Sequence, residues 1–120
     1  MSLESGSLEE LRRGDLVLVN LDPSGGSEAN KTRPAVLVSN DRANRTSPVV
    51  TIVPITSNTA QVYSFQVFLP HGESGLDEDS KAQAEQIRTV DRRRVSRLLG
   101  HLNDAQMQQV DAALRLHLGV

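Results

Sequence analysis

Apolar residues in this chain fall in short runs, divided by polar stretches that carry Gly, Pro, Ser and Asn. Leu16-Val17-Leu18-Val19-Asn20-Leu21 is brief, β-branched and apolar, which predicts a first strand. Pro34 to Ser39 predicts a second, its proline tolerated because it opens the strand. Val49 to Thr56 predicts a third, and Pro54 within it points to an edge or a bulge. Val62, Ser64, Gln66 and Phe68 then alternate with Tyr63, Phe65, Val67 and Leu69, the two-residue period of a fourth strand. Lys81 to Arg88 reads as a fifth. Between the strands lie a turn at Gly14-Asp15, polar loops over Asp22–Thr32 and Asn40–Pro48, a turn at Ser57–Thr59 and an acidic loop over His71–Ser80.

Helical signals are fewer. Ser7 can cap a short turn from Leu8 to Arg12, with Glu10 in the capping-box position. Asp91 can cap a short helix through Leu99, which Gly100 ends. The strongest signal is at the C-terminal end. Asn103 stands at an N-cap with Gln106 three residues on, and Leu102 and Met107 occupy the positions of a hydrophobic staple. Met107, Val110 and Leu114 form an apolar stripe with Ala113 beside it. Several short strands followed by a helix predict a mainly β fold, a small barrel with helical additions. Residues 1–10 read as a leader and residues 11–120 as a single domain.

The 120 residues suit one domain with its own core. With no cysteine, disulfides, thiol catalysis and zinc–thiolate sites are excluded. No apolar run approaches the roughly 18 residues of a membrane span, and the acidic, polar N-terminus does not resemble a secretory signal. A cytoplasmic protein with no membrane partner is the expectation. Net charge is −2, which by itself argues against a nucleic-acid binder. Its distribution argues otherwise. Acids gather at Glu73, Asp77, Glu78 and Asp79, whereas Arg88, Arg92, Arg93, Arg94 and Arg97 gather around a single Asp91. Lys31, Arg33, Arg42 and Arg45 form a smaller basic set. Tyr63, Phe65 and Phe68 are the aromatic residues, too few for a broad ring platform, so stacking on bases would fall largely to arginine planes.

Several familiar chemistries fail on spacing. Gly25 to Thr32 looks briefly like a phosphate-binding loop, yet Asn30 stands where a glycine belongs, and Pro34 opens a strand rather than a helix. Asp77-Glu78-Asp79 lacks the glycine of a calcium loop, Ala82 holding that place, and reads as a solvated acidic loop. His71, His101 and His117 share no ligand spacing. No cofactor and no metal site is expected. Arginines, hydroxyls and isolated carboxylates remain, and these suit RNA cleavage in which the substrate's own 2′-OH is the nucleophile.

A family resemblance now enters. Gly14-Asp15, Leu21-Asp22-Pro23, Gly26-Ser27-Glu28 and the run from Lys31 to Asp41 resemble the opening of MazF/PemK-type toxins. Ser47-Pro48, Ile55-Thr56 and Glu85-Gln86-Ile87-Arg88-Thr89-Val90-Asp91 continue it, so the resemblance covers roughly residues 11–118. It implies an SH3-like β-barrel with a C-terminal helix. It also implies a sequence-specific, metal-independent endoribonuclease, the toxin of a type II toxin–antitoxin pair, working on single-stranded mRNA. Cleavage would leave 2′,3′-cyclic phosphate and 5′-OH ends. The expected partners are a MazE-like antitoxin and a second copy of the chain. By the same motifs Arg33, Thr56 and Glu85 are the catalytic positions, and Asp22–Thr32 is the flap beside the site. Ser27, Glu28, Asn30, Lys31, Thr32, Ser57 and Asn58 are then RNA-binding or flap residues.

Elementary chemistry gives these residues roles. Pro34 pushes the backbone of Arg33 toward an extended form. A guanidinium is a poor general base, so Arg33 suits stabilisation of the charged phosphorane. Thr56 can hydrogen-bond a phosphate oxygen, and Glu85 is the candidate base for the 2′-OH. Arg88 is expected to pair with a carboxylate and hold the end of the fifth strand, and Arg92 to Arg97 to form the wet face of a short helix. Two rivals use the same barrel: a gyrase poison, disfavoured because Leu116-His117-Leu118-Gly119-Val120 lacks a Trp, and a decayed, binding-only toxin.

Overall fold

The computed structural model describes residues 10–21, 32–72 and 74–120. The first two residues of the expected turn at Leu8–Arg12 and most of the flap therefore lie outside the described residues. The strands are β1 (Asp15–Asn20), β2 (Thr32–Leu37), β3 (Val49–Thr56), β4 (Gln66–Leu69), β5 (Ser80–Gln83), β6 (Arg88–Asp91) and β7 (Val95–His101). Helix α1 (Asp41–Thr46) precedes β3, and α2 (Asp104–Leu118) closes the chain. The sheet runs β4-β5-β3-β2-β1-β7, with β6 also on β3, and every pairing is antiparallel.

Strand β3 organises this sheet. One edge pairs with β2, and the other pairs with β6 over Val49–Ile52 and with β5 at Ile55–Thr56. Pro54 falls in the seam between those two partners, where a missing N–H costs no ladder bond. The proline thus marks a change of partner in a central strand, not an edge. Pro34 uses a similar gap, because pairing of β2 with β3 begins only at Ala35.

Both faces of the central strands are buried, which explains why β1 reads as a continuous apolar run. Leu16, Val36, Val53 and Ile55 face one core, which Leu102, Val110, Ala113 and Leu114 cover from the α2 side. Their neighbours Val17, Val19, Ala35, Leu37 and Ile52 face a second core with Leu11, Val50, Val90 and Val95. The sheet is coiled around both, giving a barrel-like body. The α2 expectation holds in detail: Asn103 and Gln106 form a reciprocal capping box, and Gly119 closes the helix in the left-handed region.

Four local expectations are corrected. Residues 41–46 form helix α1, started by Asn40, whose side chain accepts from Ala43 N at 2.9 Å. It has no apolar stripe; buried Asn44 and the Arg92 guanidinium, bonded to the Asn44 carbonyl, secure it instead. The fifth strand breaks into β5, a 3-10 turn at Ala84–Gln86, and β6. The short helix expected over 91–99 is a 3-10 turn at Arg92–Arg94 followed by β7. Two register shifts where β7 meets β1 upset its two-residue alternation and give it a helix-like pattern. The fourth strand also starts later than expected, because Gln66 N–H donates to the Tyr63 carbonyl and turns the chain.

The 70–80 loop is fixed against β7 by two glycines. A Cβ on Gly100 would lie 1.9 Å from the Ser74 carbonyl oxygen, and one on Gly75 would lie 2.3 Å from that of Leu99. Leu76, 5% exposed, then plugs the first core. At the loop's ends, Asp79 Oδ1 accepts from the backbone N–H of His71 at 3.0 Å.

Candidate active site

The core face of β1, β2, β3 and β7 continues past the reach of α2 and opens into a cleft of about 510 Å³. Leu18, Pro34, Ile55, Leu76 and Leu99 supply its apolar lining. Arg33 from β2, Thr56 and Ser57 at the end of β3, Arg97 from β7, and Asp77, Glu78 and Ser80 supply the polar groups. Sheet pairing sets this geometry: Leu18 lies opposite Pro34 on one side and opposite Arg97 on the other. Arg33 therefore enters from the strand that carries the floor residue Pro34. One of its guanidinium nitrogens donates to the Thr32 carbonyl at 3.0 Å. Thr56 Oγ1 accepts from Asn58 N–H at 3.3 Å, a local turn contact that leaves its own proton to donate elsewhere.

Of the three catalytic expectations, Arg33 and Thr56 share this cleft, and Glu85 does not line it. Glu85 sits on the 3-10 turn beyond β5, where one carboxylate oxygen accepts from Gln66 Nε2 at 2.7 Å. Gln66 Oε1 accepts in turn from Tyr63 N–H at 3.1 Å, so the carboxylate braces the loop that follows Thr56. Its other oxygen is buried without a hydrogen-bond partner among the described residues. On that loop Tyr63 and Phe65 stack with ring centroids 5.4 Å apart, and Lys81 Nζ lies 5.8 Å from the Tyr63 ring centre. Two of the three aromatic residues are thus brought together on this loop.

Other expected site residues scatter. Ser57 lines the cleft. Thr32 lines a separate hollow with Asn20, Arg93 and Arg94, and exposed Asn58 turns its side-chain oxygen to Ala60 N–H at 3.3 Å. Ser27, Glu28, Asn30 and Lys31 lie outside the described residues. Arg88 is exposed, and no carboxylate among the described residues pairs with it in the bracing role expected of it. The arginine cluster divides its tasks instead. Arg92 braces α1, Arg93 pairs with Asp91 at 3.0 Å, Arg94 donates to the Asn20 carbonyl, and Arg97 faces the cleft. Hydrogen bonds from Arg93, those of the side chain first and that of the backbone second, hold the Asp91 carboxyl down at about 2.

Sequence reasoning missed Arg97, Asp77, Glu78 and Ser80. The signal for Arg97 was obscured by the helical reading of 91–99. That for Asp77 and Glu78 was obscured by reading the acidic loop as solvated, which it is, while it also forms a wall of the cleft. Among the described residues no group of three or more His, Asp or Glu is placed to hold a metal ion, and no helix is long and apolar enough to cross a membrane.

Residues 12–118 match the family described as PemK-like, MazF-like toxin of type II toxin–antitoxin system. The chain belongs to that family. As a MazF-like toxin it is 53% identical over 113 residues to endoribonuclease MazF9 of Mycobacterium tuberculosis, an alignment covering 90% of this chain and 96% of the relative. Its fold resembles crystalline MazF from Deinococcus radiodurans, with a TM-score of 0.76 and 28% identity over 92% of this chain and 97% of the other. A MazE–MazF crystal structure from the same organism is similar at a TM-score of 0.73 and 25% identity, covering 92% and 96%. The expected mainly antiparallel barrel-like fold with a C-terminal helix is the one the MazF-like chain adopts.

Proposed function

We propose that this MazF-like toxin is a sequence-specific endoribonuclease, cutting single-stranded mRNA by transesterification through the 2′-OH. The observation that carries the reading is the cleft that unites Arg33 with Thr56. The identity to an endoribonuclease over nearly the whole chain supports it. A phosphodiester laid across the cleft meets a guanidinium able to hold two oxygens at once, and hydroxyls from Thr56 and Ser57. Arg33 stabilises the negative charge that develops as the phosphorane forms, where a fixed cation contributes most. Thr56 donates to a phosphate oxygen.

A MazE-like antitoxin is the inhibitory partner in this reading, its chain lying over Arg33 and the mouth of the cleft. The complex of a similar MazF with MazE supports that assignment. The active form is a homodimer in the cytoplasm. The stripe of Val110, Ala113 and Leu114 is buried against this chain's own sheet, so it is not the subunit contact. Leu116, Leu118 and Val120 remain exposed near the end of α2. Sedimentation checks the assembly, and a monomer at micromolar concentration would remove it.

The test of function uses a labelled RNA oligonucleotide in EDTA. The expected products carry a 2′,3′-cyclic phosphate and a 5′-OH, and the same oligonucleotide with one 2′-deoxy sugar at the cut site survives. Cutting of the deoxy-substituted substrate at an equal rate overturns the mechanism.

A further inference from the structure

We propose that Asp77 is the general base of this cleavage, the group that takes the 2′-OH proton. The inference rests on the ribonuclease reading and assigns the one role for which the cleft holds no resemblance-derived residue. A general base must come within hydrogen-bond reach of the proton it removes. Arginine offers no acceptor, and Glu85 is held by Gln66 outside the cleft. The described histidines do not line it; His71 and His101 line a separate hollow beside the start of α2. The carboxylates that do line it are Asp77 and Glu78.

Placement favours Asp77. A base is effective when its position is fixed before reaction. Asp77 directly follows Leu76, which is sunk in the core, and Gly75, which is pressed onto the Leu99 carbonyl. Its side chain is also one methylene shorter than that of Glu78, with fewer rotamers to lose. The charged groups sharing the cleft with it are Arg33 from β2, Arg97 from β7, and Glu78 beside it. The two guanidiniums and two carboxylates divide the substrate. Phosphate oxygens are drawn to Arg33 and Arg97, which leaves the ribose hydroxyl for the acidic wall.

The step balances. The 2′-O–H proton passes to an Asp77 carboxylate oxygen, the O2′–P bond forms and the P–O5′ bond breaks. O5′ takes a proton from solvent water, and Asp77 later returns its own proton to solvent.

Asp77→Asn and Glu78→Gln are compared with the wild type in single-turnover cleavage across pH. Binding is read separately with the oligonucleotide carrying a 2′-deoxy sugar at the cut site. Asp77→Asn is expected to cut about 10²–10⁴-fold more slowly, to lose the acidic limb of the pH–rate profile, and to bind the uncleavable RNA as tightly as the wild type. Glu78→Gln is expected to retain that limb. Because Asp77 is exposed, the variant should melt as the wild type does, and this is checked first. Asp77→Asn cutting at the wild-type rate, or retaining the limb, overturns the assignment, as does loss of the limb in Glu78→Gln. A wild-type protein that leaves RNA intact would instead defeat the ribonuclease reading itself.

Discussion

Gly100→Ala puts the contact between β7 and the 70–80 loop to a test whose sign is informative. Gly100 has no left-handed backbone, so an alanine there meets no conformational strain. With room for a methyl group, the change would stabilise the fold by about 0.4–1 kcal/mol, because it restricts the unfolded chain. The structure leaves no such room. The new Cβ would lie 1.9 Å from the Ser74 oxygen, and an ordinary contact begins near 3.4 Å, so the loop must retreat by about 1.5 Å. Leu76 lies two residues further on and is 5% exposed, so it shares the displacement. Losing all of its burial would cost about 1.5–3 kcal/mol, and overpacking in general costs about 1–3 kcal/mol. A net loss of about 1–3 kcal/mol follows, roughly 4–12 °C in Tm for a domain of this size. Thermal unfolding followed by circular dichroism reads it. RNA cleavage should fall as well, because the same loop carries Asp77 and Glu78 to the cleft wall. A Gly100→Ala protein that melts at or above the wild-type temperature would refute the close packing on which the argument depends.

Arg33→Ala should lower cleavage by about 10²–10³-fold with unchanged melting, and Arg33→Lys should recover little of it, because a point charge cannot replace a two-pronged donor; full activity in a folded Arg33→Ala would end its catalytic assignment. Thr56→Ala removes one hydrogen bond to an anionic phosphate oxygen, worth about 1.5–3 kcal/mol, a loss of roughly 13–160-fold in the cleavage rate. Glu85→Ala should destabilise by about 1–3 kcal/mol in urea unfolding, since it strips the buried Gln66 amide of its acceptor, and Glu85→Gln should retain the acidic limb of the pH–rate profile. The depressed carboxyl of Asp91 favours the folded state above the unfolded value near 3.9. That contribution fades as pH falls toward about 2, so Asp91→Asn should flatten the acid loss of Tm over this window.

The elements legible in the sequence are those whose local pattern and tertiary setting agree. For α2, the cap, the staple and the apolar stripe all fall on one helix, and the fold uses each of them. Strand β3 was legible to its end residues, yet Pro54 misled, because the sequence shows a missing donor without showing that the strand changes partners there. Helix α1 was hidden because its stability comes from polar contacts of Asn44, one of them with Arg92, 48 positions further along the chain. Strand β7 was hidden because its bulges exist only in register with β1. At the site, Arg33 and Thr56 could be named from motifs, since short segments fix them. Arg97 and Asp77 belong to the cleft only through the crossing of β7 and the 70–80 loop, which no short segment encodes.

Pro54 also limits how β3 can be misassembled. A strand buried on both faces has apolar residues at nearly every position, so side-chain patterning alone would tolerate a shift along its neighbours. A two-residue slide of β3 against β5 or β6 would carry the proline out of the seam and into a rung that needs an N–H. The ring nitrogen therefore acts as a stop, leaving the native alignment as the one in which both partners dock fully. Replacing Pro54 with valine would keep the bulk of an apolar side chain while removing that stop. The expected consequence is kinetic: slower, more heterogeneous refolding with more aggregate, from a native state of nearly unchanged packing.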